Sequence, residues 1–266
     1  MQILIGFILG ILIGYGAYKL GSLSASGAAA AAGIGGVIFG FGGLSWAVRL
    51  LLFFISSSLL SRAYSRRKKA MIEKFAKGSR RDHGQVLANG GLAAVLALVH
   101  WFAPDQVWLW IAFAGGMAAV NADTWATELG VLSAAAPRLI TNGKVVSRGT
   151  SGGVTLIGYL ATLAGAGIIG LAAALFTPTM PGVEVVFVVL LGGLVGATVD
   201  SLLGATVQGI YYCPSCDKET ESYPSHHCGT ETIQRRGWRW LNNDLVNLFC
   251  SLVGAGVAVI AWRLIS

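Results

Sequence analysis

Asn121–Gly130 reads NADTWATELG, and it closes an otherwise almost wholly apolar run that starts at Val107. A carboxylate inside such a run costs roughly 2.5–3.5 kcal/mol on insertion scales unless a cation or hydrogen-bond donor meets it. Two are present, Asp123 and Glu128, with Asn121, Thr124 and Thr127 beside them. On a helix, Asn121, Thr124 and Glu128 fall at i, i+3 and i+7, and Asp123 stacks on Thr127. Asp123 and Glu128, at i and i+5, therefore flank a polar sector. Such a sector belongs in a bundle interior, where it can hold a metal ion.

The rest of the chain supplies the bundle. Of 266 residues, 55% are hydrophobic and 12% charged, with mean hydropathy +0.68. Soluble domains carry roughly 25% charge, so the composition predicts an integral membrane protein. The 37 glycines fit close helix packing. A net charge of +7 would point to nucleic acid in a soluble protein. Here it marks cytoplasmic loops, and no nucleic-acid partner is expected. Four cysteines do not make a secreted disulfide scaffold.

Outward from the central stretch, apolar spans are expected at Gln85–Phe102, Val107–Leu132, Val154–Phe176, Val183–Gln208 and Leu245–Leu264. Ile3–Leu20 is a further span; a signal peptide is the alternative, against which the start MQILIG lacks a basic region. Gly27–Gly43 and Leu44–Leu60 form either a tight hairpin or one long tilted helix. Arg62–Arg81 holds nine of the 19 Lys and Arg residues and reads as a cytoplasmic loop near anionic lipid, compatible with a phosphate contact. The loops 134–153 and 209–242 are also basic, and the turns 103–106 and 177–182 have no Lys or Arg. Arg263, near an external C-terminus, is a mild exception.

With that topology, four polar segments meet at cytoplasmic span ends: NADTWATELG, SRGTSGGVT (Ser147–Thr155), GATVDSLLGATVQ (Gly196–Gln208) and NNDLVN (Asn242–Asn247). Glycines, hydroxyls and backbone N–H groups before a helix make an anion site, to which Arg148 and Lys144 add charge. The bland alternative is a turn that caps a helix. Gly196, Asp200, Gly204 and Gln208 recur every four residues as one stripe. Asn243 and Asn247 lie at i and i+4, with Asp244 beside them; an N-cap by Asn242 or Asn243 explains part of this, but not Asn247. Carboxylates with Asn and Thr oxygens suit Mg²⁺, and a phosphate cradle opposite them points to phosphoryl or nucleotidyl transfer. No Ser-His-Asp or Cys-His set is evident, and His83 and His100 read as structural or interfacial. Cys213, Cys216, His227 and Cys228 have the donor types for structural zinc, with His226 the alternative to His227. Redox thiols, or no site, stay open. Cys250 reads as apolar filling.

ADTWATELG, RGTSGGVT, DSLLGATVQ, the C-x-x-C…HCG loop and NNDLVN together resemble the phytyl-phosphate kinase family of membrane proteins, which includes transmembrane protein 19. The resemblance runs from Gly84 to the C-terminus, and more distantly it is similar to polyprenol kinases and CDP-lipid synthases. It implies phosphorylation of an isoprenyl monophosphate by a nucleoside triphosphate such as CTP. It further implies Asp123, Glu128, Asp200 and Arg148 as catalytic groups, and Asp123, Glu128, Asp200 and Asp244 around Mg²⁺. Lys144, Thr150, Ser151, Gly152, Gly153, Gln208, Asn243 and Asn247 would bind substrate or phosphate. The expected fold is an all-α membrane bundle of about seven helices (six to eight), with a small cytoplasmic Cys/His loop. Its parts are N-terminal spans 1–60, a basic loop 61–83, and a catalytic membrane domain 84–266 that includes the loop 209–242. The expected setting is the cell membrane with the site facing the cytoplasm, the bilayer, prenyl phosphate and nucleotide being the partners; a homodimer stays open. A transporter is the remaining alternative, disfavoured because the charges cluster at one face and no inverted repeat is evident.

Overall fold

The computed structural model describes residues 1–64, 80–177 and 180–266. Its helices are α1 (Gln2–Lys19), α2 (Ala25–Val37, continued by a π-turn Ile38–Gly42), α3 (Leu44–Ala63), α4 (His83–Phe102), α5 (Val107–Gly130), α6 (Leu156–Ala174), α7 (Gly182–Thr206) and α8 (Asn243–Ile265). Seven of them are long and apolar enough to cross a membrane. The exception is α5, whose last turns carry the polar sector Asn121–Gly130. Its stretch Ile111–Ala122 is buried throughout, so the other helices shield it. The chain is therefore an integral membrane helical bundle built around α5.

Each polar N-cap lies where the sequence turns from loop to apolar run. Ser24 accepts from Gly27 N–H (3.1 Å), Asp82 from Gln85 (3.0 Å), Thr155 from Gly158 (3.0 Å) and Asn242 from Leu245 (3.0 Å). These bonds satisfy helix-end amides that the apolar run cannot. Asn242, rather than Asn243, caps α8. The starts of α6 and α8 fall at Leu156 and Asn243, and Val154 belongs to a strand.

The N-terminal region resolves into separate helices. Gln2 Nε2 donates to the carbonyls of Phe39 (3.1 Å) and Gly40 (3.2 Å), so α1 starts where α2 ends. Trp46, in the first turn of α3, stacks on His100 at the end of α4. At the other face, Arg62 donates to the Leu20 carbonyl (2.5 Å), and Arg81 exchanges backbone bonds with Ser22 and Ser24 of the α1–α2 turn. Thus α2 and α3 run in opposite directions across the bundle, reversing at Gly43 with φ +83°. One long tilted helix is excluded. The basic residues Arg66, Arg67, Lys68, Lys69, Lys74 and Lys77 lie outside the described residues, as do Pro178 and Thr179 of the 177–182 turn.

Backbone-to-backbone packing of α5, α7 and α8 sets the core. A Cβ on Gly254 would lie 2.4 Å from the Ala119 Cβ, 2.8 Å from the Gly115 carbonyl and 3.2 Å from the Gly192 carbonyl. No larger side chain allows three helices so close. In α3, Arg49 is fully buried, its guanidinium over Trp110 (4.4 Å) and Phe113 (4.9 Å) and its Nε bonded to the Ser45 carbonyl (3.0 Å). Cation–π contact compensates part of its desolvation.

The loops carry short strands. β1 (Arg138–Leu139) pairs antiparallel with β2 (Gly153–Val154). β3 (Ile210–Cys213), β4 (Lys218–Thr220) and β5 (Ile233–Arg236) form an antiparallel sheet in the order β4-β3-β5.

Candidate active site

The helix ends at one face surround a cavity of about 780 Å³. Asp123, Thr124, Thr127 and Glu128 enter it from α5, Asp200 and Ser201 from α7, and Asn243, Asp244 and Asn247 from α8. Arg148, Gly149, Thr150, Ser151, Gly152 and Gly153 form one wall. Segments distant in sequence meet because the close contact of α5, α7 and α8 brings their polar ends to one level.

The carboxyl groups of Asp123 and Asp200 are in hydrogen-bond contact, and the charge of Glu221 also reaches Asp200. Asp200 Oδ2 is buried with no hydrogen-bond partner among the described residues. Two carboxylates in contact repel, and a bridging cation relieves the repulsion. A buried, unsatisfied carboxylate oxygen beside a second carboxylate fits a hard divalent ion. Glu128 is not part of that pair. It lines the same cavity, accepts from Ser61 Oγ (2.8 Å) and lies in the field of Arg81.

The wall segment is held by its own turns. Thr150 N–H donates to the Ser147 carbonyl (3.1 Å) and Gly153 N–H to Thr150 (3.0 Å). Gly152 has φ +81°, and a Cβ there would fall 2.4 Å from Ala205 Cβ. The loop therefore rests directly on the end of α7, in a conformation that L side chains rarely adopt. Gly204, in the glycine stripe, leaves room for Ser151, whose Oγ donates to Gln208 Oε1 (2.9 Å). Gln208 Nε2 in turn donates to Glu221 (3.0 Å). Gln208 is itself buried outside the cavity lining, and it links the wall to the Cys/His segment rather than contacting substrate space.

Two further expectations are corrected. Lys144 is exposed at the tip of a tight turn, where its carbonyl accepts from Leu139 N–H (2.8 Å), and it does not line the cavity. His227 is replaced in the thiol cluster by His226, whose Nδ1 lies 3.5 Å from Cys216 Sγ and 3.3 Å from Cys228 Sγ. Adjacent residues in this turn point to different sides, so His226 faces the thiols while both rings border the cavity. Hydrogen bonding, first from the Thr230 side chain and then from His226, draws the Cys228 thiol down to about 5. Its bond to Cys228, then burial, push Cys216 up to about 11. His83 and His100 stay outside the cavity lining.

Asn121 also departs from its expected part. It is fully buried, donates to the Gly165 carbonyl (2.7 Å) and accepts from Ser56 (3.2 Å), binding α5 to α6 and α3.

The structure adds residues that the sequence reading passed over. Gln85 and Asn89, one turn apart at the start of α4, line the cavity, and their polar i, i+4 spacing at a span end was the available signal. Arg81 also lines it; its backbone is clasped by Ser22 and Ser24, and its Nη1 is buried with no hydrogen-bond partner among the described residues. Burial pulls the Arg81 guanidinium below its ordinary value, and Glu128 pushes back. Glu221, Tyr211, Tyr223 and Arg239 come from the Cys/His region. No local pattern distinguished these four from an ordinary hydrophilic loop.

Comparison with known proteins places this architecture. The family model of the integral membrane protein DUF92 matches residues 8–255. The chain belongs to the DUF92 family. That is the family whose motifs mark the phytyl-phosphate kinases and transmembrane protein 19, and the match reaches into the N-terminal helices, well before Gly84. Protein PGR of Arabidopsis thaliana is 36% identical over 234 residues, covering 80% of this chain and 81% of the relative. An uncharacterized membrane protein of Methanocaldococcus jannaschii is 32% identical over 229 residues, 86% and 81% of the two chains. Protein VTE6, chloroplastic, of Arabidopsis thaliana is 25% identical over 248 residues, 91% of this chain and 66% of the relative. No solved structure matches this DUF92 chain significantly.

Proposed function

We propose that this protein phosphorylates an isoprenyl monophosphate, of phytyl or geranylgeranyl type, to the diphosphate. The donor is a nucleoside triphosphate, CTP by family resemblance. The observation that carries this reading is that the Asp123–Asp200 pair shares one cavity with Arg81, Arg148 and the residues Thr150 and Ser151. Acidic groups for a metal opposite cations for phosphate are what phosphoryl transfer requires, since its catalysis is mainly positioning and charge neutralisation.

The substrate's own phosphate is ionised at neutral pH, so it attacks the γ-phosphorus without a general base. A P–O bond forms to that phosphorus, the β,γ-bridging bond breaks, and the nucleoside diphosphate leaves with the bonding electrons. Asp123 and Asp200 would hold Mg²⁺, with Asp244 on the same cavity. When bound, the ion neutralises phosphate charge. Arg81 and Arg148 hold phosphate oxygens from the other side. Arg81, Arg148 and Arg239 line the cavity, and Arg62 and Arg80 bond to the α1–α2 turn that clasps Arg81, a basic end that supports a cytoplasmic opening.

The test is purified protein in detergent with Mg²⁺, CTP or ATP, and geranylgeranyl or phytyl monophosphate. Prenyl diphosphate is the expected product. A CDP-lipid with pyrophosphate would instead establish nucleotidyl transfer. Absence of turnover with every nucleotide and acceptor would overturn the kinase reading in favour of transport.

A further inference from the structure

We propose that Cys213, Cys216, His226 and Cys228 bind one zinc ion, and that this ion holds the roof of the cavity in place. The donor atoms all lie within 4.8 Å of one another, and among the described residues no other group of three or more His, Cys, Asp or Glu side chains converges in this way. Tetrahedral zinc, with Zn–S about 2.3 Å and Zn–N about 2.0 Å, sets S···S near 3.8 Å and S···N near 3.5 Å. The observed Cys213–Cys228 separation is 3.5 Å, and the two sulfur–imidazole separations are 3.5 and 3.3 Å. Three thiolates and one imidazole with no open position form a structural zinc site rather than a catalytic one.

The surrounding module needs such a tie. Its strands β3, β4 and β5 have 4, 3 and 4 residues. Its buried positions include Ile210 and Tyr211, but also the polar Thr220, Ser222 and His226. So small a sheet has little apolar area to hold it, and a metal can supply the missing folding energy.

The ligands bracket the segment that reaches the active cavity. Glu221, Ser222, Tyr223 and Ser225 lie between Cys216 and His226, and all four line the cavity. Glu221 then passes the position of the roof to the phosphate wall through Gln208 and Ser151. Tyr223 stacks on Tyr211 (4.9 Å) beneath the Arg239 guanidinium, which joins the roof to the chain leading into α8. Loss of the metal therefore frees the roof without touching the membrane bundle. The link to turnover rests on the proposed kinase reading; the metal site does not.

The full-length protein, purified in detergent with reductant and without chelator, is assayed for metal by elemental analysis and by Co²⁺ substitution. About one zinc per chain is expected, with thiolate-to-cobalt charge-transfer bands after exchange. His226→Ala and Cys216→Ser are expected to lose the metal at chelator concentrations that the parent and His227→Ala withstand. Chelation is also expected to expose residues 214–232 to protease while helical circular dichroism stays constant. Metal-free protein that takes up no zinc on reconstitution would overturn the proposal. So would a Cys213–Cys228 disulfide in the native protein, or metal loss on His227→Ala but not on His226→Ala.

Discussion

Asp123 of α5 and Asp200 of α7 bring their carboxyl groups into contact on the floor of the cavity. The helix backbones that carry them are held close by glycine contacts one to two turns deeper. Repulsion between two carboxylates is thus built into the packing, and a cation relieves it.

The first prediction follows from that repulsion. Asp123→Asn and Asp200→Asn are each expected to lower turnover by about 100-fold or more. Neither substitution should reduce expression or helical content. Mg²⁺ should raise the Tm of the parent protein and leave the Tm of both variants unchanged. A variant that keeps the Mg²⁺-dependent rise would remove its aspartate from the metal set.

Arg81 is fixed by its backbone, lines the cavity, and has a buried Nη1 with no hydrogen-bond partner among the described residues. A charge-assisted hydrogen bond contributes about 1.5–3 kcal/mol, so Arg81→Ala should weaken phosphate-substrate affinity by about 10- to 100-fold. Arg81→Lys should recover only part of it, because an ammonium lacks the planar fork. Steady-state KM for each substrate is the measurement, and an unchanged KM for both would exclude the contact.

Arg148 and Lys144 separate the two meanings of charge near the cavity wall 148–153. Arg148 lines the cavity and donates to the Ala134 carbonyl (3.1 Å), whereas Lys144 points away at the turn tip. Lys144→Ala should leave kcat/KM within about twofold, as expected of a surface change. Arg148→Ala should reduce it by at least about tenfold. Equal effects would show that the wall acts through its general field.

Gly152 tests the support of that wall. Alanine there must adopt φ +81° and meet Ala205 at 2.4 Å. The left-handed conformation costs about 1–2 kcal/mol before any clash is counted. Gly152→Ala should therefore loosen the wall, raise KM, and quicken proteolysis between Ser147 and Val154. The bundle should keep its Tm, since the loop meets α7 only at its last turn, away from the contacts of Gly192 and Gly196 with α8. A wild-type KM would show that the loop tolerates displacement.

Gly254→Val probes the core directly. The added side chain collides with Ala119 and with the carbonyls of Gly115 and Gly192. Overpacking costs about 1–3 kcal/mol where neighbours can shift, and more is expected here because two of the three contacts are backbone. Lower yield and a lower Tm in detergent are the expected outcomes, checked against Gly256→Val, which meets nothing within 4 Å.

Much of this was legible without coordinates. Membrane spans follow from hydropathy to within a few residues, and the start of α8 follows from the cap candidates Asn242 and Asn243, because helix capping involves only residues a few positions apart; the caps Ser24, Asp82 and Thr155 emerged with the structure. The grouping of NADTWATELG, SRGTSGGVT, DSLLGATVQ and NNDLVN at one face follows from counting crossings and placing the basic loops. Tertiary structure decided what local spacing could not. It assigned Asn121 to helix packing, gave Glu128 a bond to Ser61, excluded Lys144 from the cavity, chose His226 over His227, singled out Arg81 from the basic segment and brought in Glu221. The reason is physical: apolar burial and capping are set by near neighbours in the chain. Which polar groups touch depends on how closely α5, α7 and α8 approach, and on how the loops fold back over their ends.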